Sequence, residues 1–183
     1  MERMTGMDAG FLYMETPSLH MHTLKIGVID PGGVEGGYTF DRFRQELEKR
    51  LHLLPPFRRR VVDIPRGIHH PVWIEDPEFD ITRHLRRTQV PSPGGTREMD
   101  AVIGEIASTQ LRRDRPLWEI WALEGLQDGH VAFVAKIHHA LADGVAAAAL
   151  LANVLSADPE PADPDPPSAP WRPDPIPDGR ELK

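Results

Sequence analysis

Residues 130–151 read HVAFVAKIHHALADGVAAAALL, and this stretch decides how the rest of the chain is interpreted. The apolar side chains Val131, Phe133, Ala135 and Ile137 alternate along residues 131–137, which predicts a β-strand with these four on one face. His138 and His139 follow at the end of that strand. Residues 144–155 are almost wholly apolar, which predicts a helix buried on most sides.

The loop between this strand and this helix concentrates groups suited to acid–base chemistry. A histidine has an ordinary pKa of about 6.5, so it can take up and return a proton near neutral pH. Asp143 adds a carboxylate, and Gly144 lets the backbone enter the helix without a Cβ clash. The sequence therefore predicts a catalytic loop at residues 138–144.

Two further strands are expected beside this one. Residues 120–123 precede it, and Asp128-Gly129 between the two is a hairpin turn signal. Residues 20–29 also alternate, which predicts a half-buried strand with Leu24, Ile26 and Val28 on its apolar side.

Helices are expected before and after an irregular region, residues 57–90, in which short extended segments are predicted. Thr39 is a good N-cap for the first helix and Thr96 for the second. The second helix is expected to include Leu111 and to be closed by Pro116, and arginines fall near its end, where cations favour the negative end of the helix dipole. They are Arg112, Arg113 and Arg115.

Composition limits the class of protein. The chain has 183 residues, 40% of them hydrophobic and 27% charged, which is typical of a globular domain. Its net charge of -7 argues against a nucleic-acid partner. The absence of cysteine excludes disulfides and thiolate chemistry, and no apolar run approaches the roughly 20 residues that span a bilayer. A cytoplasmic protein is expected.

The C-terminal region has a different character. Residues 158–183 interleave prolines with acidic residues, which predicts an extended chain close to polyproline II geometry. We therefore divide the chain into a lobe of residues 1–157 and a linker of residues 158–183 that leads toward a second lobe.

Several segments resemble known proteins. Residues 138–144 resemble the His-His-x-x-x-Asp-Gly signature of chloramphenicol acetyltransferase-like acyltransferases and peptide-synthetase condensation domains. Other segments are similar to the bacterial wax ester synthase/diacylglycerol acyltransferase family. These are MDAGFL at 7–12, WIED at 73–76, FDI at 79–81, HLRR at 84–87, PLWE at 116–119 and LEGL at 123–126.

The resemblance implies a fold and an activity. The fold is an α/β lobe, a two-layer mixed sheet with helices, and is one of two lobes around a tunnel. The activity is O-acyl transfer from acyl-coenzyme A, a substrate rather than a bound cofactor, to diacylglycerol or a long-chain alcohol. Triacylglycerol or wax ester would be the product. The C-terminal lobe would be a partner, and a membrane or lipid-droplet surface a possible location.

The resemblance also implies roles for the loop residues. His139 would be the general base that takes the proton of the alcohol, with direct attack on the thioester and no acyl-enzyme. His138 and Asp143 would support the loop. Asp143 could instead relay protons, but an architectural pair with an arginine is favoured, and Arg58, Arg113 and Arg115 all remain candidates.

The same residues leave three alternatives open. A metal site at His138, His139 and Asp143 is disfavoured, because adjacent histidines point in different directions and zinc needs three or four ligands. A related enzyme could take acyl groups from a carrier protein. A lobe with the same fold could also bind lipid without catalysis, in which case His139 would be an ordinary strand-end histidine.

Overall fold

The computed structural model describes residues 1–142, 144–152 and 162–178. In that part of the chain, helices, short 3-10 turns and strands alternate. The helices are α1 (Gly6–Met14), α2 (Phe40–Arg50), α3 (Thr96–Ala107) and α4 (Gly144–Ala152). The strands are β1 (Glu2–Arg3), β2 (His22–Ile29), β3 (Arg59–Val62), β4 (Val72–Glu75), β5 (Leu85–Gln89), β6 (Trp118–Glu124) and β7 (Val131–His138).

The described strands form two sheets. The larger has the order β2-β7-β6-β5, with β7 antiparallel to both of its neighbours and β5 parallel to β6. The smaller is antiparallel and has the order β1-β4-β3. The predicted hairpin and the predicted α/β class with a mixed sheet are confirmed.

Side chains on the two faces of β7 enter different parts of the core. Ala135 and Ile137 pack with residues of α2 and α4, whereas Ala132 and Val134 pack with residues of α3. Helices therefore cover both faces of the larger sheet. A third cluster joins α1 to the smaller sheet and to Ala140, the residue after the two motif histidines.

Local sequence signals predicted the N-cap of α2 correctly and placed the N-cap of α3 one residue too late. Thr39 caps α2, because its hydroxyl oxygen accepts the backbone N–H of Arg42 at 3.1 Å. Thr96 is not a cap but the first residue of α3. Gly95 takes the N-cap position with extended backbone, and the Glu98 carboxylate accepts its N–H at 3.0 Å. The prediction for Thr96 was therefore wrong.

Two burial predictions were also wrong. Ile26 and Val28 are each 51% exposed, because β2 is an edge strand and α3 covers only the part near Leu24. In α4 the buried side chains among those described are Ala147 and Leu151, four residues apart on one side of the helix. One stripe of α4 packs on the sheet, and the rest of the predicted helix, residues 153–155, lies outside the described residues.

The C-terminal end of α3 is stabilised by residues other than the predicted arginines. The helix ends at Ala107, before Arg112, and the fully buried Lys136 of β7 reaches this end. Its Nζ donates to the Ile106 carbonyl at 2.8 Å, to the Thr109 hydroxyl at 2.9 Å and to the Thr109 carbonyl. Burial lowers the pKa of Lys136, but these acceptors replace the water that the ammonium loses on folding.

The proline-rich region lies against the folded body. Residues 162–178 contain no helix or strand. The backbone N–H of Asp174 donates to the Glu75 carbonyl at 2.9 Å, and the Asp174 carboxylate accepts the Glu75 N–H at 2.9 Å and the Met1 ammonium at 3.0 Å. The Trp171 indole donates to the Glu75 carboxylate at 2.7 Å. The proposed boundary at residue 157 lies outside the described residues and stays a prediction.

No helix in the described part of the chain is long and apolar enough to cross a membrane.

Replacing Lys136 with methionine tests the role of its ammonium. We expect Lys136→Met to lower the free energy of unfolding by about 2 kcal/mol, because enclosed carbonyl oxygens lose a charged donor. Urea denaturation measures the change. Lys25→Met is the matched control, because Lys25 is a partly exposed lysine of the neighbouring strand β2. It should change the free energy of unfolding by less than about 0.5 kcal/mol. Equal losses in the two variants would contradict the role assigned to Lys136.

The contacts of Asp174 predict how the proline-rich region responds to protease. Asp174→Ala removes the acceptor for Met1 and Glu75, so we expect subtilisin to cleave residues 162–178 about tenfold faster. Mass spectrometry of the fragments identifies the cut sites. Asp165→Ala, an exposed aspartate of the same region, serves as the control. Identical cleavage of both variants would show that Asp174 does not hold this region in place.

Candidate active site

The two motif histidines lie at the C-terminal end of β7, which is flanked by strands β2 and β6. The backbone N–H of His138 donates to the Leu117 carbonyl at 3.0 Å, and that of His139 donates to the Met21 carbonyl at 2.8 Å. The chain then turns, with the N–H groups of Leu141 and Ala142 donating to the His138 carbonyl at 2.9 and 3.3 Å. The histidine pair is therefore fixed by both adjacent strands, at the sheet end that the sequence predicted.

The His139 imidazole is half-buried, with one ring nitrogen enclosed. It stacks on Phe11 of α1, with ring centroids 5.0 Å apart and an interplanar angle of 22°. Nδ1 is buried without a hydrogen-bond partner among the described residues. Because Nδ1 is enclosed, Nε2 is the nitrogen left to exchange a proton with a substrate.

His138 is fully buried and plays a different part. Its Nδ1 accepts the backbone N–H of Ala140 at 3.0 Å, and its Nε2 lies 3.4 Å from Oε1 of Glu15. Burial lowers the pKa of His138 to about 4, so the ring is neutral at physiological pH. A neutral, internally bonded imidazole fits the expected supporting role.

Asp143 lies outside the described residues, so its partner stays a prediction, and Gly144 is the first residue of α4. The three candidate arginines are each engaged elsewhere. Arg58 lies 5.0 Å above the Trp171 ring, and Arg115 Nε lies 3.1 Å from the Asp114 carboxylate. Arg113 donates to the Leu12 carbonyl at 2.7 Å and to Glu15 at 2.9 Å.

Sequence reasoning missed the residues that surround the histidines. Phe11 and Glu15 come from α1 and from its C-cap, about 125 residues before the motif, and Arg113 comes from the segment after α3. The segment MDAGFL at residues 7–12 predicts a family resemblance but no role in the site. The four-residue spacing of Phe11 and Glu15 was a usable signal, because such residues share one side of a helix.

Two cavities in the described part of the chain are not lined by His139. One, of about 620 Å³, lies between α2, β2 and the proline-rich region and is lined by Tyr38, Phe43 and Phe133. A second, of about 500 Å³, is lined by His20 and His22. His139, the residue expected to carry the chemistry, therefore lies outside both cavities. We assign the candidate site from the positions of the two motif histidines.

Among the described residues, no group of three or more histidine, aspartate or glutamate side chains is placed to hold a metal ion.

Comparisons with known proteins identify relatives of this chain. Two Mycobacterium tuberculosis H37Rv proteins, whose names assign them to the diacylglycerol O-acyltransferases, are 45% and 46% identical over 99% and 100% of the chain. The chain spans 38% of each. The wax ester synthase/diacylglycerol acyltransferase of Marinobacter aquaeolei VT8 has a TM-score of 0.75 and 30% identity, over 90% of this chain and 39% of that one.

A peptide-synthetase starter condensation domain shares the fold alone, with a TM-score of 0.63 at 13% identity over 84% of this chain and 36% of its own. The predicted chloramphenicol acetyltransferase-like fold is thereby confirmed. The model of the wax ester synthase/diacylglycerol acyltransferase catalytic domain matches residues 4–182. The chain therefore belongs to the wax ester synthase/diacylglycerol acyltransferase family.

Proposed function

We propose that this chain is the histidine-bearing lobe of an O-acyltransferase that moves a fatty acyl group from acyl-coenzyme A to the hydroxyl of diacylglycerol or a long-chain alcohol. The observation that carries the proposal is the half-buried His139 at the end of β7, whose ring stacks on Phe11 and whose Nδ1 is enclosed. Family membership supports the same reaction class.

The chemistry follows from what an imidazole can do. An alcohol is a weak nucleophile at neutral pH, so Nε2 of His139 takes the hydroxyl proton as the oxygen attacks the thioester carbonyl. A carbon–oxygen bond forms, the carbon–sulfur bond breaks, and the proton passes from His139 to the departing thiolate. The products are an ester and free coenzyme A, and no covalent enzyme intermediate is needed.

The surroundings of the ring favour this use of one nitrogen. The Phe11 stack restricts rotation of the imidazole, so less order must be imposed when substrate binds. Nδ1 is enclosed, so Nε2 is the nitrogen that can meet a substrate hydroxyl. Nε2 accepts the hydroxyl proton when the single proton of the neutral imidazole is on Nδ1.

The proposal includes a second lobe. The chain spans 38% of the length of the curated relatives that it matches, and neither described cavity is lined by His139. We therefore propose that the walls of the substrate tunnel are completed by a segment equivalent to the rest of those relatives. Because the acceptor is a lipid, we place the reaction in the cytoplasm at a membrane or lipid-droplet surface.

A chimaera tests the function directly. Residues 1–183 would replace the matching part of a 45% identical relative, and coenzyme A release from palmitoyl-coenzyme A would be followed with dioleoylglycerol or hexadecanol as acceptor. We expect His139→Ala to lower kcat/KM by about a thousandfold, because a general base contributes roughly 10²- to 10⁴-fold.

His69→Ala is the matched control, since His69 belongs to an exposed histidine pair that is not followed by Asp-Gly. It should leave turnover unchanged. Activity that survives His139→Ala within threefold would refute the proposed base. Turnover with an acyl carrier protein thioester but not with the coenzyme A thioester would instead favour a carrier-dependent enzyme, and lipid binding without turnover would favour a non-catalytic lobe.

A further inference from the structure

A buried carboxylate lies directly behind the histidine pair. The Glu15 side chain is 3% exposed, and its two oxygens face different groups. Oε2 accepts from Nη2 of Arg113 at 2.9 Å, and Oε1 lies 3.4 Å from Nε2 of His138. Both atoms are buried, and neither forms a hydrogen bond with any residue in the described part of the chain. The carboxylate and the imidazole are therefore each other's nearest available partner.

The bond on the other side of the ring shows which tautomer of His138 is present. Nδ1 accepts the N–H of Ala140 at 3.0 Å, so Nδ1 carries no proton. A neutral imidazole has one N–H, which must then be at Nε2, facing Glu15. Glu15 offers only acceptor atoms, so it favours this tautomer over the one with the proton at Nδ1.

The opposite tautomer would break the turn. A proton on Nδ1 would point at the N–H of Ala140, and two donors would then face each other inside the protein. Ala140 is 4% exposed and packs with Ala9 and Leu12 of α1. His139 lies between the two bonded residues, so the position of its ring depends on the same turn.

Helix α1 and its C-cap contact both histidines. Phe11 stacks on His139, and Glu15, four residues later, faces His138. Arg113 completes the arrangement, because it donates to the Leu12 carbonyl at 2.7 Å as well as to Glu15. Arg113 thus holds the carboxylate against the N-terminal helix.

The charged neighbours of His138 explain why a tautomer, rather than a charge, is set here. His22 from β2, Arg113 and His139 all oppose a second proton on the ring, and only Glu15 favours one. Burial opposes it as well. Glu15 therefore orients a neutral ring rather than making an imidazolium.

We propose that Glu15, held by Arg113, is a positioning residue that fixes His138 as the Nε2–H tautomer and thereby maintains the turn that places His139. The structural part of this proposal does not depend on the reaction. Its consequence for turnover rests on the proposed function of His139.

Glutamine at position 15 separates the possible roles, because it keeps the shape of the side chain. Arg113 needs an acceptor, so the amide oxygen of Glu15→Gln should turn toward Arg113 and the amide NH₂ toward His138. Nε2 then faces a donor and becomes the acceptor, which moves the ring proton to Nδ1. A purely space-filling role for Glu15 would leave the tautomer unchanged.

Long-range ¹H–¹⁵N NMR of the 183-residue chain reads the tautomer without any activity assay. We expect the Nε2–H form of His138 in the unmodified chain and the Nδ1–H form in Glu15→Gln, with faster hydrogen exchange at the Ala140 amide. Glu105→Gln, an exposed glutamate of α3, should change neither signal. An Nδ1–H form in the unmodified chain, or an unchanged tautomer in Glu15→Gln, would overturn the proposal.

Turnover of the chimaera tests the consequence for His139. Glu15→Gln should lower kcat about tenfold or more with little change in KM, because the base is misplaced while substrate binding is intact. Arg113→Lys should recover part of the loss seen in Arg113→Ala, and Arg112→Ala, a surface neighbour, should have no effect. A switched tautomer with unchanged kcat would overturn the positioning role. Activity insensitive to His139→Ala would instead refute the proposed base and leave the tautomer result valid.

Discussion

The structure depends on the pairing of β7 along both of its edges. β2 pairs with it from Ile29 opposite Val131 to His22 opposite His138, and β6 pairs with it on the other side up to Trp118 opposite Ile137. A strand bonded on both edges cannot slip by one residue without reversing every side chain between the two faces. The same register that builds the core therefore fixes where His138 and His139 leave the sheet.

One segment contacts one polar residue that this register buries and the neighbour of another. Lys136 and His138 are two residues apart and so lie on the same face of β7. In the segment 106–113, Ile106 and Thr109 offer oxygens to Lys136, and Arg113 binds Glu15, whose carboxylate faces His138. Because α3 ends at Ala107, the backbone after it is irregular and its carbonyls are free to accept these donors.

Local sequence patterns predicted the structural features that depend on residues close together in the chain. The sequence predicted the alternation of β7, the Asp128-Gly129 hairpin and the Thr39 cap, because each depends on residues only a few positions apart. Alternation showed that Ile26 and Val28 share a side, but not that this side is largely uncovered. The partners of the histidines were missed because they depend on chain topology. Glu15 and Arg113, for example, are 98 residues apart.

The arginines after α3 show how this limit affects an assignment of function. The dipole argument placed them at the helix end, and the motif argument offered Arg113 as a partner for Asp143. In the structure, Lys136 binds the C-terminal end of α3, and Arg113 binds Glu15. The arginine partner expected for Asp143 stays a prediction, since Asp143 lies outside the described residues. Neither sequence argument considered residues of α1 or its C-cap, so neither could identify the carboxylate that Arg113 contacts, which lies 98 residues earlier in the chain.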